Sequence, residues 1–200
     1  MNPSTTALIL IGYQNDYFSP DGKLYGALSC REYVEEVKAR TVRLVDTLKG
    51  GPVRMVATPI IFTPDYSELK DPVGILAVIR DAGAFRSDSP GGETIPELRN
   101  FGDAIEYVPG KRGLNAFAET ELDEWLQKHG IVDVVLAGVV SSLCIDSTAR
   151  SAHERGYRVT ILSDTTSGRT EFEQKFYTEN VFPMYADVKT SDEFTSGLEG

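Results

Sequence analysis

Apolar residues in this chain fall into short blocks, separated by stretches in which they recur every three or four positions. Leu8 to Ile11, Val53 to Ala57, Ala104 to Val108, Val132 to Ala137, Arg158 to Leu162 and Ala186 to Val188 read as strands, being too short for helices and rich in branched residues. About Arg31 to Lys49 forms a helix whose Val34, Val37, Thr41, Leu44, Val45 and Leu48 make one apolar face. Ser29-Cys30-Arg31-Glu32 has the form of a capping box opening that helix. Further helices are predicted over Glu121 to His129, capped by Thr120 and stopped by Gly130, over Ile145 to Arg155 with Gly156 as its stop, and over about Glu171 to Asn180. Thr63 to Glu97 shows neither period and reads as irregular. Strands alternating with helices imply an α/β fold of three α-β-α layers around a mostly parallel central sheet.

Composition narrows this picture. The 200 residues contain no Pro/Gly/Ser-rich linker and no internal repeat, so residues 1–200 are expected to form a single domain. The 41% hydrophobic content is globular, and no apolar run approaches the roughly 20 residues of a membrane span. Met1 to Thr6 lacks the positive-then-apolar pattern of a signal peptide, which makes a cytoplasmic protein the expectation. A formal net charge of −10 argues against nucleic acid and against anionic membranes as partners. Only two cysteines occur, Cys30 and Cys144, so no disulfide framework is expected, and Cys30 reads as structural.

Cys144 is the candidate nucleophile. It follows the apolar run Asp133 to Val140 and opens the helix from Ile145, where free N–H groups and the positive dipole end favour a thiolate and can bind an oxyanion. Taken alone, it reads equally well as a small buried hydrophobe. Gly12, Lys111 and Cys144 each follow a predicted strand, and in parallel sheets reactive groups collect at the carboxyl ends of strands. Lys111-Arg112, after Pro109-Gly110, also reads as an exposed basic turn. The two histidines, His129 and His153, lack ligand-spaced companions, so neither a metal nor another cofactor is expected.

Gly138-Val139-Val140-Ser141-Ser142-Leu143-Cys144, with Thr148-Ala149 and Glu154-Arg155-Gly156-Tyr157 behind it, resembles the nucleophile region of the isochorismatase-like cysteine hydrolases. Ala7 to Phe18, with its Gln14-Asn15-Asp16 run, resembles the family's first strand and turn. Lys111 with Asn115-Ala116-Phe117 resembles its lysine motif, and Phe182 to Val188 its approach to the final strand. The resemblance implies an Asp-Lys-Cys triad, with Cys144 as nucleophile and Lys111 as its cationic partner. The triad aspartate would stand two residues before Gln14, and that position is Gly12.

Further implications of the resemblance are an oxyanion hole from the amides of Val140 and Cys144, a cis peptide at Val139–Val140, a small-molecule substrate and a homodimer or homotetramer. Tyr13, Tyr17 and Phe18 are candidate pocket walls, although aromatics near a strand end commonly just pack. Nicotinamidases carry an Asp-x-His pair where this chain has Ala57-Thr58-Pro59-Ile60-Ile61-Phe62, which argues against nicotinamide. Vinyl-ether cleavage, for which the aspartate is the essential acid, is disfavoured too.

Loss of the carboxylate should impair leaving-group protonation and deacylation by about 10²- to 10⁴-fold. Three readings of Gly12 stand at this point: another carboxylate such as Asp16 takes over, the substrate brings its own carboxylate, or the fold binds without turnover. Glycine itself allows a positive φ or close packing, and either way the pocket is expected to lose a charge and gain space. The function expected is hydrolysis of a small amide or related acyl compound through a Cys144 thioester, impaired or substrate-assisted. The alternatives are a non-catalytic small-molecule-binding protein on the same fold and a redox-sensing thiol protein.

Overall fold

The computed structural model describes residues 1–198. Along the chain come β1 (Thr6–Ile11), the single turn α1 (Asn15–Phe18), α2 (Arg31–Leu48), β2 (Arg54–Thr58), α3 (Gly74–Ala82), the short α4 (Pro96–Arg99) and β3 (Glu106–Tyr107). After these follow α5 (Leu122–Lys128), β4 (Asp133–Val139), α6 (Asp146–Glu154), β5 (Arg158–Ser167), α7 (Glu171–Phe176), β6 (Asp187–Lys189) and α8 (Ser191–Ser196). The strands form one sheet in the order β3-β2-β1-β4-β5-β6, parallel throughout, within a three-layer α/β fold. β1 and β4 lie side by side at its centre, and every residue of both is buried, as strands covered on both faces must be.

The apolar stripe of α2 is the one its spacing predicts: Val34, Val37, Thr41, Leu44, Val45 and Leu48 are its buried residues. Thr41 tolerates that stripe because its hydroxyl donates to the Val37 carbonyl at 2.8 Å and also meets the Tyr13 hydroxyl at 2.6 Å. The capping box at Ser29 does not form. Cys30 is the N-cap and makes no side-chain cap bond, while Ser29 donates both its N–H and its hydroxyl to the Arg169 carbonyl, at 2.9 and 2.6 Å. A tertiary bond to the loop before α7 has replaced the local one.

Other boundaries moved for physical reasons. β5 continues through Ser167 rather than stopping at Leu162, because past an irregularity at Leu136/Gly138 its polar end pairs again with β4, Val139 opposite Ser167. Edge strand β3 has shrunk to two residues. The helix expected from Ile145 starts at Asp146, since Ser141–Ile145 makes a wider, π-type turn, and the one expected to Asn180 ends at Phe176 and runs on as a second such turn, Tyr177–Val181. α3 lies inside the stretch read as irregular. Of its residues only Ile79 is fully buried, but Ile75 and Leu76 pack partly against the core beside it, so the apolar face of this nine-residue helix is present in the sequence even though its surroundings show no period.

Candidate active site

Cys144 is delivered by the turn between β4 and α6. At the end of β4, Gly138 sits at φ +135°, and a Cβ there would run into the carbonyl oxygen of Ile11 on β1. Only glycine lets the two central strands approach so closely just before the turn. The Val139–Val140 peptide is cis. The Val140 carbonyl then accepts the N–H groups of Leu143 at 3.0 Å and Ile145 at 3.2 Å, closing the turn around Cys144, which is 2% exposed.

Lys111 meets Cys144 from the other side of β1. Its backbone pairs with Ile60 just past the end of β2, and Ile60 is fixed in turn by Gln14. The Gln14 amide accepts the Ile60 N–H at 2.9 Å and donates to the carbonyls of Ile60 and Gly92, both at 2.7 Å. Lys111 is wholly buried, which excludes the exposed-turn reading of Lys111-Arg112. Its Nζ donates to Cys144 Sγ at 3.3 Å and to the Gly113 carbonyl. Burial pulls the Lys111 ammonium below the usual lysine range, partly opposed by the sulfur's charge and hydrogen bond. The neighbouring motif is tied to the same centre, since Thr148 Oγ1 on α6 accepts the Ala116 N–H at 3.0 Å.

Gly12 has a φ of +74°, and an ideal Cβ on it would lie 2.5 Å from the Val139 carbonyl oxygen. Both properties anticipated of a glycine here are therefore present, positive φ and close packing. The expected gain of space is not found at the Cβ position, where the Val139 carbonyl oxygen of β4 already stands. Asp16 is committed elsewhere: its carboxylate accepts the Phe85 N–H at 2.6 Å and the Lys23 N–H at 3.0 Å. It holds loops together and is not free to serve Cys144, which removes it as the replacement acid.

The three aromatic candidates separate. Tyr17 is buried close enough to Cys144 that, after desolvation, the sulfur's charge is the next cause raising its hydroxyl above the usual range, and its ring lies 5.2 Å from Phe85. Tyr13 instead points its hydroxyl at Thr41 and at the Thr165 carbonyl, 2.8 Å away, and Phe18 stacks on it at 5.4 Å. Both belong to the buried core; Tyr13 also lines a small cavity with Gly12, and Phe18 a separate cavity of about 660 Å³ that includes neither Lys111 nor Cys144. His129 packs on Trp125 and His153 against Tyr185, and among the described residues no group of three or more His, Cys, Asp or Glu side chains is placed to hold a metal ion.

Residues that the sequence did not single out hold the turn before Cys144. Ser141 Oγ donates to Gln174 at 2.5 Å and Ser142 Oγ to Glu173 at 2.6 Å, both acceptors being on α7. Two hydroxyls side by side in a buried turn need partners, and that was the available signal. A cavity of about 720 Å³ between α2 and α7 has Gln174 in its wall, but neither Lys111 nor Cys144.

The isochorismatase domain model matches residues 6–193, and the chain belongs to the isochorismatase family. It is 30% identical over 200 residues to the uncharacterized isochorismatase family protein YddQ of Bacillus subtilis, spanning 95% of this chain and 98% of that one. Among solved structures, a cysteine hydrolase from Pseudomonas syringae pv. phaseolicola superposes with a TM-score of 0.85 at 20% identity, covering 98% of this chain and 93% of its own. N-carbamoylsarcosine amidase from Thermoplasma acidophilum superposes with a TM-score of 0.75 at 25% identity over the whole of both chains.

Proposed function

We propose that this isochorismatase-family protein is a cysteine hydrolase of small amides or related acyl compounds, in which acylation of Cys144 is retained and turnover of the thioester is slowed by Gly12. The observation that carries this reading is the contact of 3.3 Å between Lys111 Nζ and Cys144 Sγ, made by a lysine with no exposure to water. A buried ammonium with one carbonyl and one sulfur to face interacts with a charge developing or lost on that sulfur more strongly than it would in water.

The thiolate attacks the acyl carbon, forming the C–S bond while the carbonyl electron pair moves onto oxygen, towards the amides of Val140 and Cys144. The pair then returns, the C–N bond breaks, and the departing amine takes a proton. In the absence of a carboxylate at residue 12, Lys111 is the side chain in contact with sulfur that can supply it. Its depressed pKa suits it to giving up that proton, and the neutral amine left behind can activate the water that cleaves the thioester. Lys111 must take over both proton transfers that the resemblance assigns to the aspartate while still holding the sulfur, so deacylation is the slow step.

The packing of Gly12 against Val139 favours a second reading, a small-molecule-binding protein without turnover, since that backbone has no place for the missing acid. Incubation with a panel of small amides and esters, followed by intact mass and product release, separates the two. Acyl adducts on Cys144 with release beyond one equivalent support hydrolysis. Ligand-induced stabilisation that survives Cys144→Ser, without adduct or product, supports binding.

A further inference from the structure

The serine pair before Cys144 is held by a relay reaching back to β5. Gln174, which accepts the Ser141 hydroxyl, donates its own amide to the Ser163 carbonyl at 3.1 Å and to Thr166 Oγ1 at 3.2 Å. Glu173, which accepts the Ser142 hydroxyl, also accepts the Arg169 N–H at 3.2 Å and its guanidinium at 2.8 Å. The helix that carries both is itself fixed. Thr170 caps it by accepting the Glu173 N–H at 3.1 Å, and a Cβ on Gly168 would stand 2.9 Å from the Gln174 nitrogen, so α7 is drawn tightly onto the end of β5.

Ser141 is fully buried and Gln174 nearly so, so their bond has little competition from water. Although burial opposes it, the hydrogen bonds from Ser142 and Arg169 hold the Glu173 carboxyl below its usual range, and it remains an acceptor at neutral pH. The turn carrying the nucleophile is thus tied at two successive residues to an element that makes no contribution of its own to the Lys111–Cys144 pair.

We infer that Gln174 and Glu173 are positioning residues for Cys144: by clamping Ser141 and Ser142 they set the place of the thiol and keep it shielded. The inference rests on the acylation proposed above. A misplacement of about 1 Å at a reacting centre costs on the order of 10²-fold in rate, so a clamp that never touches substrate can still govern acylation.

The test uses the full chain carrying Cys30→Ser, so that Cys144 is the only thiol. Gln174→Ala, Ser141→Ala and the double variant are compared for acylation by p-nitrophenyl acetate, for alkylation by iodoacetamide and for melting temperature. The expected result is acylation lowered about tenfold or more with the ester KM little changed, alkylation raised several-fold as the turn loosens, and a double variant no worse than either single, because one bond is broken in all three. Glu173→Ala should behave alike, and Glu173→Gln, which keeps an acceptor for Ser142, should recover most of the loss.

Acylation unchanged in folded variants would overturn the inference, as would acylation and alkylation falling together in proportion to lost fold. If the parent chain forms no acyl adduct, the proposed function has failed, and alkylation alone decides the clamp: an unaltered rate in Gln174→Ala and Glu173→Ala overturns it.

Discussion

Lys111 Nζ and Cys144 Sγ stand 3.3 Å apart although 33 residues separate them, each reaching the other from the far side of β1. The parallel sheet makes this meeting possible. β1 is flanked by β2 and β4, so the segments leaving those strands converge over its carboxyl end, where Gly12 lies.

Gly12→Asp should fail to restore a working triad. The substituted residue would have to hold φ +74° with its Cβ 2.5 Å from a backbone oxygen, and such a backbone penalty is roughly 1–3 kcal/mol. Thermal melts of Gly12→Asp and Gly12→Ala should therefore both fall, with no gain in thioester turnover. A rise in turnover without loss of stability would show that β4 yields easily at Val139.

The depressed pKa of Lys111 carries a pH signature. Between its folded pKa and the ordinary lysine value the unfolded chain binds more protons, so in that window the contribution of Lys111 to stability rises with pH and is lost as pH falls. Lys111→Met removes this dependence. Its melting temperature relative to the parent should be highest near neutral pH and decline as pH approaches the lysine range, which calorimetry across that span would record. A constant difference would contradict the burial cost assigned to the ammonium.

Asp16→Ala is expected to be a stability variant first. It leaves the buried N–H of Phe85 without its acceptor, at a cost of about 1–3 kcal/mol, and releases the N–H of the exposed Lys23 as well. Urea unfolding should show the loss. Were Asp16 a proton carrier instead, Asp16→Asn would abolish acyl transfer with little change in stability.

Gln14→Ala should act on Lys111 at a distance. Three hydrogen bonds anchoring Ile60 and Gly92 disappear, and Ile60 is the residue beside which Lys111 pairs. Iodoacetamide labelling of Cys144 should slow several-fold at neutral pH as Lys111 is drawn away from the sulfur, with the melting temperature lowered as well. Labelling at the parental rate would separate the Gln14 network from the site.

Where local pattern and tertiary environment agree, the sequence was legible. The β1 and β4 cores and the stripe on α2 follow from periodicity alone, because burial on both faces or on one is written in the residues themselves. Cys144 and Lys111 could be paired because both follow strands, with the family resemblance choosing the buried lysine over an exposed turn. Other features depend on partners distant in sequence. The polar end of β5 is a strand only because β4 runs beside it, and Ser29 gives up its cap because the Arg169 carbonyl is within reach. α8 lies outside the predicted helices although the sequence carries its signal, the capping box of Thr190 and Glu193. Gly12 was readable as a missing charge, but the close packing of Val139 against it was not, since a glycine does not say what will occupy the room it leaves.

Pre-steady-state reaction with p-nitrophenyl acetate, following nitrophenolate release and intact mass together, separates acylation from deacylation. A stoichiometric burst is expected, with an acetyl adduct on Cys144 that persists into a slow steady state, loss of both in Cys144→Ser, and a burst slowed at least about tenfold in Lys111→Ala. Absence of a burst and adduct, or release that is undiminished in Cys144→Ser, would contradict acylation of Cys144.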